Sequence, residues 1–322
     1  MATKKASSSK AAPKKRPATK KPAAKKATTV AAAAKTGGKK IKLSERIAAI
    51  RPGTLIAEFF GTFVLAGAVI NLASGGLTGS VVIALILAVL VIVFGVISGA
   101  HLNPAITIAQ FVNRKIDGVK TIAYIFAQVL GALAAFGLLL GLFNATTPSL
   151  ETRVYDALTN AGYVTAEDIE KGGGIEKYLD EKYGMTIKAA AQQLGLGDDI
   201  EFIDHKMTAD KEWVDLLLEL IASIVFGLGI GYAVCGERKN QIEAGLAVGV
   251  SLLAGLVIGG ATVILNPAVA AAIGGFEAAN PFGTEAMTFW WPVFTYIGAT
   301  VIGITAGFSI YRLALSDAAA KK

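Results

Sequence analysis

Two copies of one short word, Leu102-Asn103-Pro104-Ala105 and Leu265-Asn266-Pro267-Ala268, stand 163 residues apart, each after a long apolar stretch. Asn is a favoured cap for a helix start, and Pro suits the first helical position, where no N–H is needed. Helix formers follow in both places, Ile106 to Phe111 and Val269 to Ile273. Each triplet therefore predicts a short helix of about ten residues, roughly 15 Å, or half the hydrocarbon depth of a bilayer. Two half-helices with their positive ends at mid-depth suit a pore for uncharged solutes. One Asn-Pro-Ala alone reads as a turn or an ordinary helix start; two at matching places in two apolar halves are far more specific.

The rest of the chain agrees with a membrane setting. Only 17% of the 322 residues are charged, and the mean hydropathy is +0.56; soluble domains carry nearer a quarter charged residues. The charges are also segregated. Residues 1–51 hold 16 Lys or Arg and one acid, Glu45, while 144–212 holds 7 basic and 14 acidic residues. No apolar signal core precedes residue 54, so the first span itself is expected to direct insertion. Cys235 is the only cysteine, and neither His101 nor His205 has a Cys or second His nearby. No metal-ligand spacing, phosphate loop or nucleophile beside a His and an acid is visible. The chain therefore reads as a protein that is not an enzyme and needs no cofactor or metal.

Six stretches are long and apolar enough to span: approximately 54–73, 81–99, 119–143, 213–235, 244–261 and 289–311. The half-helices follow the second and the fifth. Connections on one side carry Arg114, Lys115, Lys120, Arg238, Lys239 and Arg312, and those at 74–80 and 274–288 carry no basic residue. With the basic tail, this places both termini in the cytoplasm, as expected for a plasma-membrane protein. Glu58 lies 45 residues before Asn103, and Glu219 lies 47 before Asn266. Gly131 in the third span and Gly298 in the sixth, each followed by Ala, extend the match. Three spans per half force the halves into opposite orientation. The predicted fold is an all-α membrane protein: six transmembrane helices plus two re-entrant half-helices in an inverted repeat.

Five segments follow. Residues 1–50 form a Lys/Ala/Pro-rich cytoplasmic tail, too poor in apolar surface to fold and suited to anionic lipid or, without sequence preference, to nucleic acid. Residues 51–143 and 213–315 are the channel repeats, and 316–322 is a second short tail. Between the repeats, 144–212 is an extracellular insertion. Thr165-Ala166-Glu167-Asp168 has the form of a capping box, and 150–160, 175–183 and 186–194 are candidate helices, which predicts a small helical cap.

Glu58 and Glu219 are the acids deepest in the spans. A carboxylate there is costly without partners. One reading is a proton relay. The paired placement favours another, in which each accepts N–H bonds from the irregular loop before a half-helix. Asn103 and Asn266 can each cap a helix with the side-chain oxygen and face the lumen with the NH2. His101 either lines the inner pore or bonds within its loop. The many span glycines suit close helix crossing, and Trp290 and Trp291 suit interface anchors.

These residues carry a resemblance. Glu58-Phe59-Phe60-Gly61-Thr62-Phe63, Ser98-Gly99-Ala100-His101-Leu102-Asn103-Pro104-Ala105, Gln128-Val129-Leu130-Gly131-Ala132 and Asn266-Pro267-Ala268 are similar to the major intrinsic protein family, the aquaporins and aquaglyceroporins. The likeness covers roughly 52–143 and 213–312. It implies a pore in each subunit of a homotetramer, and an outer constriction of four residues. By distance from the two Asn these are Ile83, Ala254, Val263 and Val269. Where the family usually has Arg directly after the second Asn-Pro-Ala, this chain has Val269, so the implied ring is wholly aliphatic. The run Gly260 to Leu265 also looks two residues longer than its equivalent before Asn103. The expected function is a passive channel for water or small uncharged solutes. Alternatives are a glycerol or polyol facilitator, and a non-conducting scaffold binding lipid, nucleic acid or protein partners through tail and cap.

Overall fold

The computed structural model describes residues 43–146, 148–196, 212–237, 240–279 and 293–320. Six helices within them are long and apolar enough to cross a membrane. After a short helix α1 (Leu43–Ala48), the first half contains α2 (Pro52–Leu72), α3 (Gly76–Phe94), the short α4 (Pro104–Val112) and α5 (Gly118–Thr146). The insertion supplies α6 (Leu150–Asn160), α7 (Ala166–Lys171), α8 (Ile175–Tyr183) and α9 (Ile187–Gln193). The second half contains α10 (Glu212–Cys235), α11 (Gln241–Gly259), the short α12 (Pro267–Ala279) and, after a π-helical turn at Val293–Ala299, α13 (Thr300–Ala320). The chain is an integral membrane protein of the expected all-α class.

Packing repeats between the halves. α2 lies along α5 as α10 lies along α13, and α3 pairs with α11 across the middle. Each short helix reaches into the other half, α4 against α13 and α12 against α5. Glycines permit the close crossings. A Cβ on Gly131 would stand 2.3 Å from the Phe59 carbonyl oxygen, and one on Gly303 would stand 2.7 Å from that of Leu220. Phe59 and Leu220 each follow a buried Glu, so Gly303 is the structural counterpart of Gly131. The sequence match to Gly298 is corrected: Gly298 falls in the π-helical turn, before α13 begins.

Large aliphatic side chains such as Leu85, Val89, Ile122, Val250 and Ile302 lie exposed along the spans. Such a surface is untenable in water and natural against lipid. Two spans moved noticeably: the sixth, expected at 289–311, continues in α13 to Ala320. The second span was expected at 81–99, but α3 runs over Gly76–Phe94. Apolarity continues through Val96 and Ile97, yet the chain has already left the helix, with left-handed backbone at Gly99 (φ 99°) and Ala100 (φ 48°). Trp290, Trp291 and His205 lie outside the described residues.

The insertion carries its own small core of Val154, Val164, Ile169, Ile175, Leu179 and Ala190. Three of its helices, α6, α7 and α9, are capped by side chains. Ser149, Thr165 and Thr186 each accept a backbone N–H, and Thr165 with Asp168 completes a capping box. Gly184, left-handed at φ 61°, ends α8.

Candidate functional site

Each of the two short helices starts two residues after a left-handed leucine. Leu102 (φ 51°) and Leu265 (φ 57°) are left-handed, a conformation costing a non-glycine residue of order 1 kcal/mol or more. Both are wholly buried. Each is held at both ends of its peptide. The Leu102 N–H donates to Glu58 Oε2 at 2.7 Å, and its carbonyl accepts Asn266 Nδ2 at 3.0 Å. In the second half, the Leu265 N–H donates to Glu219 Oε1 at 2.9 Å, and its carbonyl accepts Asn103 Nδ2 at 2.7 Å. The neighbouring N–H groups of His101 and Ile264 complete the grip on the two carboxylates, at 3.0 and 2.9 Å. Counted back from each Asn, the residues gripped are the same two, so the longer run before Asn266 does not shift the register at the loop tip.

The amides of Asn103 and Asn266 are thus not wholly turned to the lumen. Each Oδ1 caps its own helix, accepting from Ala105 N at 2.8 Å and Ala268 N at 3.0 Å. Each Nδ2 spends one hydrogen on the opposite loop and retains a second. The cross-bonds tie the two loops tip to tip. Pro104 and Pro267 occupy the first helical positions, as their missing N–H allows.

Each carboxylate has one further donor from a neighbouring span. Gln128 Nε2 serves Glu58 at 2.8 Å, and Thr300 Oγ1 serves Glu219 at 2.5 Å. Gln128 lies three residues before Gly131 and Thr300 three before Gly303, so donor and crossing share one register. The roles of Leu102, Leu265 and Thr300 were missed from sequence; the repeated Leu-Asn-Pro-Ala word carried the signal for the leucines. His101 bonds within its loop through Nδ1 to Thr107 Oγ1 at 3.1 Å, lies edge-on to Tyr124, and also borders a cavity.

That cavity, about 400 Å³, opens beside the loop tips. Asn103, Asn266 and His101 bound it together with the aliphatic side chains of Leu65, Ile83, Leu252, Leu256 and Val263. A second cavity of about 160 Å³ is bounded by Gly99, Ala100, Gln110 and Gln241. Ile106, on the first turn of α4, borders both. Of the four residues expected to form a constriction, two, Ile83 and Val263, border the larger cavity. Val269 is fully buried in a separate cluster with Ala66, Ile70, Ala132 and Phe136. Ala254 is only half-buried, and Leu252 and Leu256 present the cavity face of α11 instead. Helical phase is the reason: Leu252 and Leu256 are four apart and share a face, whereas Ala254 is two residues off it.

The family model "Major intrinsic protein" matches residues 43–170. Over 84 residues the chain is 42% identical to "Glycerol uptake facilitator protein-like 6" of Lactiplantibacillus plantarum, covering 25% of this chain and 39% of that protein. It is 38% identical over 105 residues to "Aquaporin-4" of Mus musculus, covering 29% of this chain and 32% of the relative. With "Probable aquaporin TIP-type" of Medicago truncatula it shares 33% over 155 residues, 38% of this chain and 62% of the relative. These matches span less than two thirds of the relatives' own length. Among solved structures, the aquaglyceroporin from Plasmodium falciparum has a similar fold, with a TM-score of 0.50, 19% identity, and coverage of 81% of this chain and 96% of that one. Paired Asn-Pro-Ala loops on buried glutamates, six apolar helices and these relatives point the same way: over residues 43–170 the chain matches the major intrinsic protein family, and it is similar to that family's members.

Proposed function

We propose that the protein is a passive channel for water and small uncharged solutes. The observation that carries this reading is the back-to-back seating of α4 and α12, with Asn103 and Asn266 at the edge of one cavity. Each helix start carries about half a positive charge, so two at one place disfavour cations. The N–H left on each amide donates to a passing water, whose oxygen lone pairs are then occupied, so it accepts no proton from the next water in the file. The four implied ring positions and α4's partner loops hold no fixed cation, so ion exclusion rests on the helix starts and amides. Three spans and a half-helix form each repeat, with α6–α9 as an extracellular cap. Both termini are then cytoplasmic, the site of action is the plasma membrane, and the assembly is a homotetramer. The basic tail suits the anionic inner leaflet.

The experiment is stopped-flow light scattering on proteoliposomes. Water permeability should rise well above that of empty vesicles, with no rise in proton leak. Equal water and solute fluxes in protein-containing and empty vesicles would overturn the reading. A glycerol channel is the second reading. A relative named for glycerol uptake favours it. Glycerol flux at the empty-vesicle level, with water flux raised, would reject it.

A further inference from the structure

The larger cavity is bordered by few polar side chains, Asn103, Asn266, His101 and Ser80, and most of their hydrogen-bonding capacity is already spent. Asn103 and Asn266 commit both oxygens and one N–H each within the protein. His101 Nδ1 is engaged with Thr107. Ser80, the hydroxyl bordering the cavity, donates to the Gly76 carbonyl at 3.0 Å. Away from the loop tips the wall is aliphatic, formed by Leu65, Val69, Ile83, Leu256, Val257 and Val263. Among the described residues bordering it, none is charged.

Such a wall offers a solute few replacements for the waters it leaves behind. A hydroxyl stripped of water and left unpaired is costly, whereas a methyl gains by leaving water. The cavity therefore sets amide N–H and imidazole groups at the loop tips against a mostly aliphatic shaft, with Ser80 as the one hydroxyl on its wall.

We infer that this cavity selects small neutral solutes with one compact polar head and an alkyl body, such as alkylated amides, over polyhydroxylated solutes of the same size. The polar head meets Asn103 and Asn266, and the alkyl part fills the shaft beside Ile83 and Val263. The inference rests on the channel reading and narrows it.

The test uses the full chain in proteoliposomes and a graded series: urea, N-methylurea, 1,3-dimethylurea and glycerol, with water as a reference. The quantity read is permeability above that of empty vesicles of the same lipid. It should rise by about fourfold for each methyl added to urea, the ratio expected from transferring a methyl out of water, and glycerol should fall below urea. Val263→Thr, which keeps the side-chain shape and adds a hydroxyl, should bring the methylurea-to-urea ratio down towards one. Protein-dependent flux that falls with each methyl, while water and urea remain above empty vesicles, overturns the inference and leaves the channel reading standing. A ratio unmoved by Val263→Thr overturns it also. Absence of any protein-dependent flux, water included, overturns both.

Discussion

The two halves hold the same backbone feature with different amounts of support. In the second half, Glu219 receives two loop N–H groups and the Thr300 hydroxyl, whose single hydrogen also has the Tyr296 carbonyl within reach at 2.9 Å. In the first half, the corresponding donor, Gln128, bonds both Glu58 and Thr107. Thr107 then reaches His101 and the Asn103 carbonyl, and Tyr124 holds the Ser98 carbonyl at 2.8 Å. The far end of α4 is clamped as well, with Arg312 Nη1 donating to the Asn113 carbonyl at 3.1 Å. What the halves share is the minimum: a carboxylate, two loop N–H groups, a left-handed Leu, and an Asn that caps one helix and ties the other loop. The rest varies because any nearby donor satisfies a carboxylate.

The sharpest way to break this comparison is to remove the carboxylates. Glu58→Ala strands two loop N–H groups and the Gln128 amide in a buried site, a loss of about 4 kcal/mol at 1–3 kcal/mol per orphaned group. Glu219→Ala should cost about 1 kcal/mol less, because Thr300 keeps the Tyr296 carbonyl as an acceptor. Thermal unfolding in detergent measures both, and an equal loss would contradict the ranking. Next come the amides. Asn103→Ala and Asn266→Ala each remove a helix cap and a cross-loop bond, about 2 kcal/mol together. The two variants should be equal within error in stability, and both should lose water flux. A large inequality would break the symmetry of the loop tips.

The glycines test the corrected register. Gly131→Ala and Gly303→Ala should each cost about 1–3 kcal/mol through overpacking, since the new methyl meets a backbone carbonyl of the facing span. If only Gly131 proves sensitive, the pairing with Gly303 fails. The smallest effect lies in the insertion, which belongs to neither half. Hydrogen bonds from the Thr165 hydroxyl and N–H hold the Asp168 carboxyl below its ordinary pKa. A depressed folded pKa means the stabilisation is complete above the unfolded value and is lost as pH falls through the folded one. Amide exchange over 165–171, corrected for intrinsic rate, should therefore quicken on acidification. In Asp168→Ala it should already be fast at neutral pH.

Much of this architecture was legible because membrane insertion writes itself into composition. Long apolar runs, paired Asn-Pro-Ala words and paired glutamates gave six spans and two short helices in place. Local caps were equally readable: the Thr165 capping box and the helices at 150–160 and 175–183 follow from side chains acting on their own backbone. Where the reading slipped, the cause was non-local. Apolarity ran on through Val96 and Ile97 after α3 had ended. Gly298 matched Gly131 in spacing, but the π-helical turn shifted the crossing to Gly303.

The sequence by itself determined the class of molecule, the number of spans, and the residues that start each short helix, because hydropathy and capping are properties of neighbours along the chain. Only the tertiary structure decided that each Asn ties the opposite loop, that Leu102 and Leu265 carry the strained backbone, and that Val269 is buried while Leu252 and Leu256 border the cavity. Those outcomes depend on helical phase and on contacts between residues some 160 positions apart, and spacing along a chain does not encode the direction in which a side chain points once two helices cross.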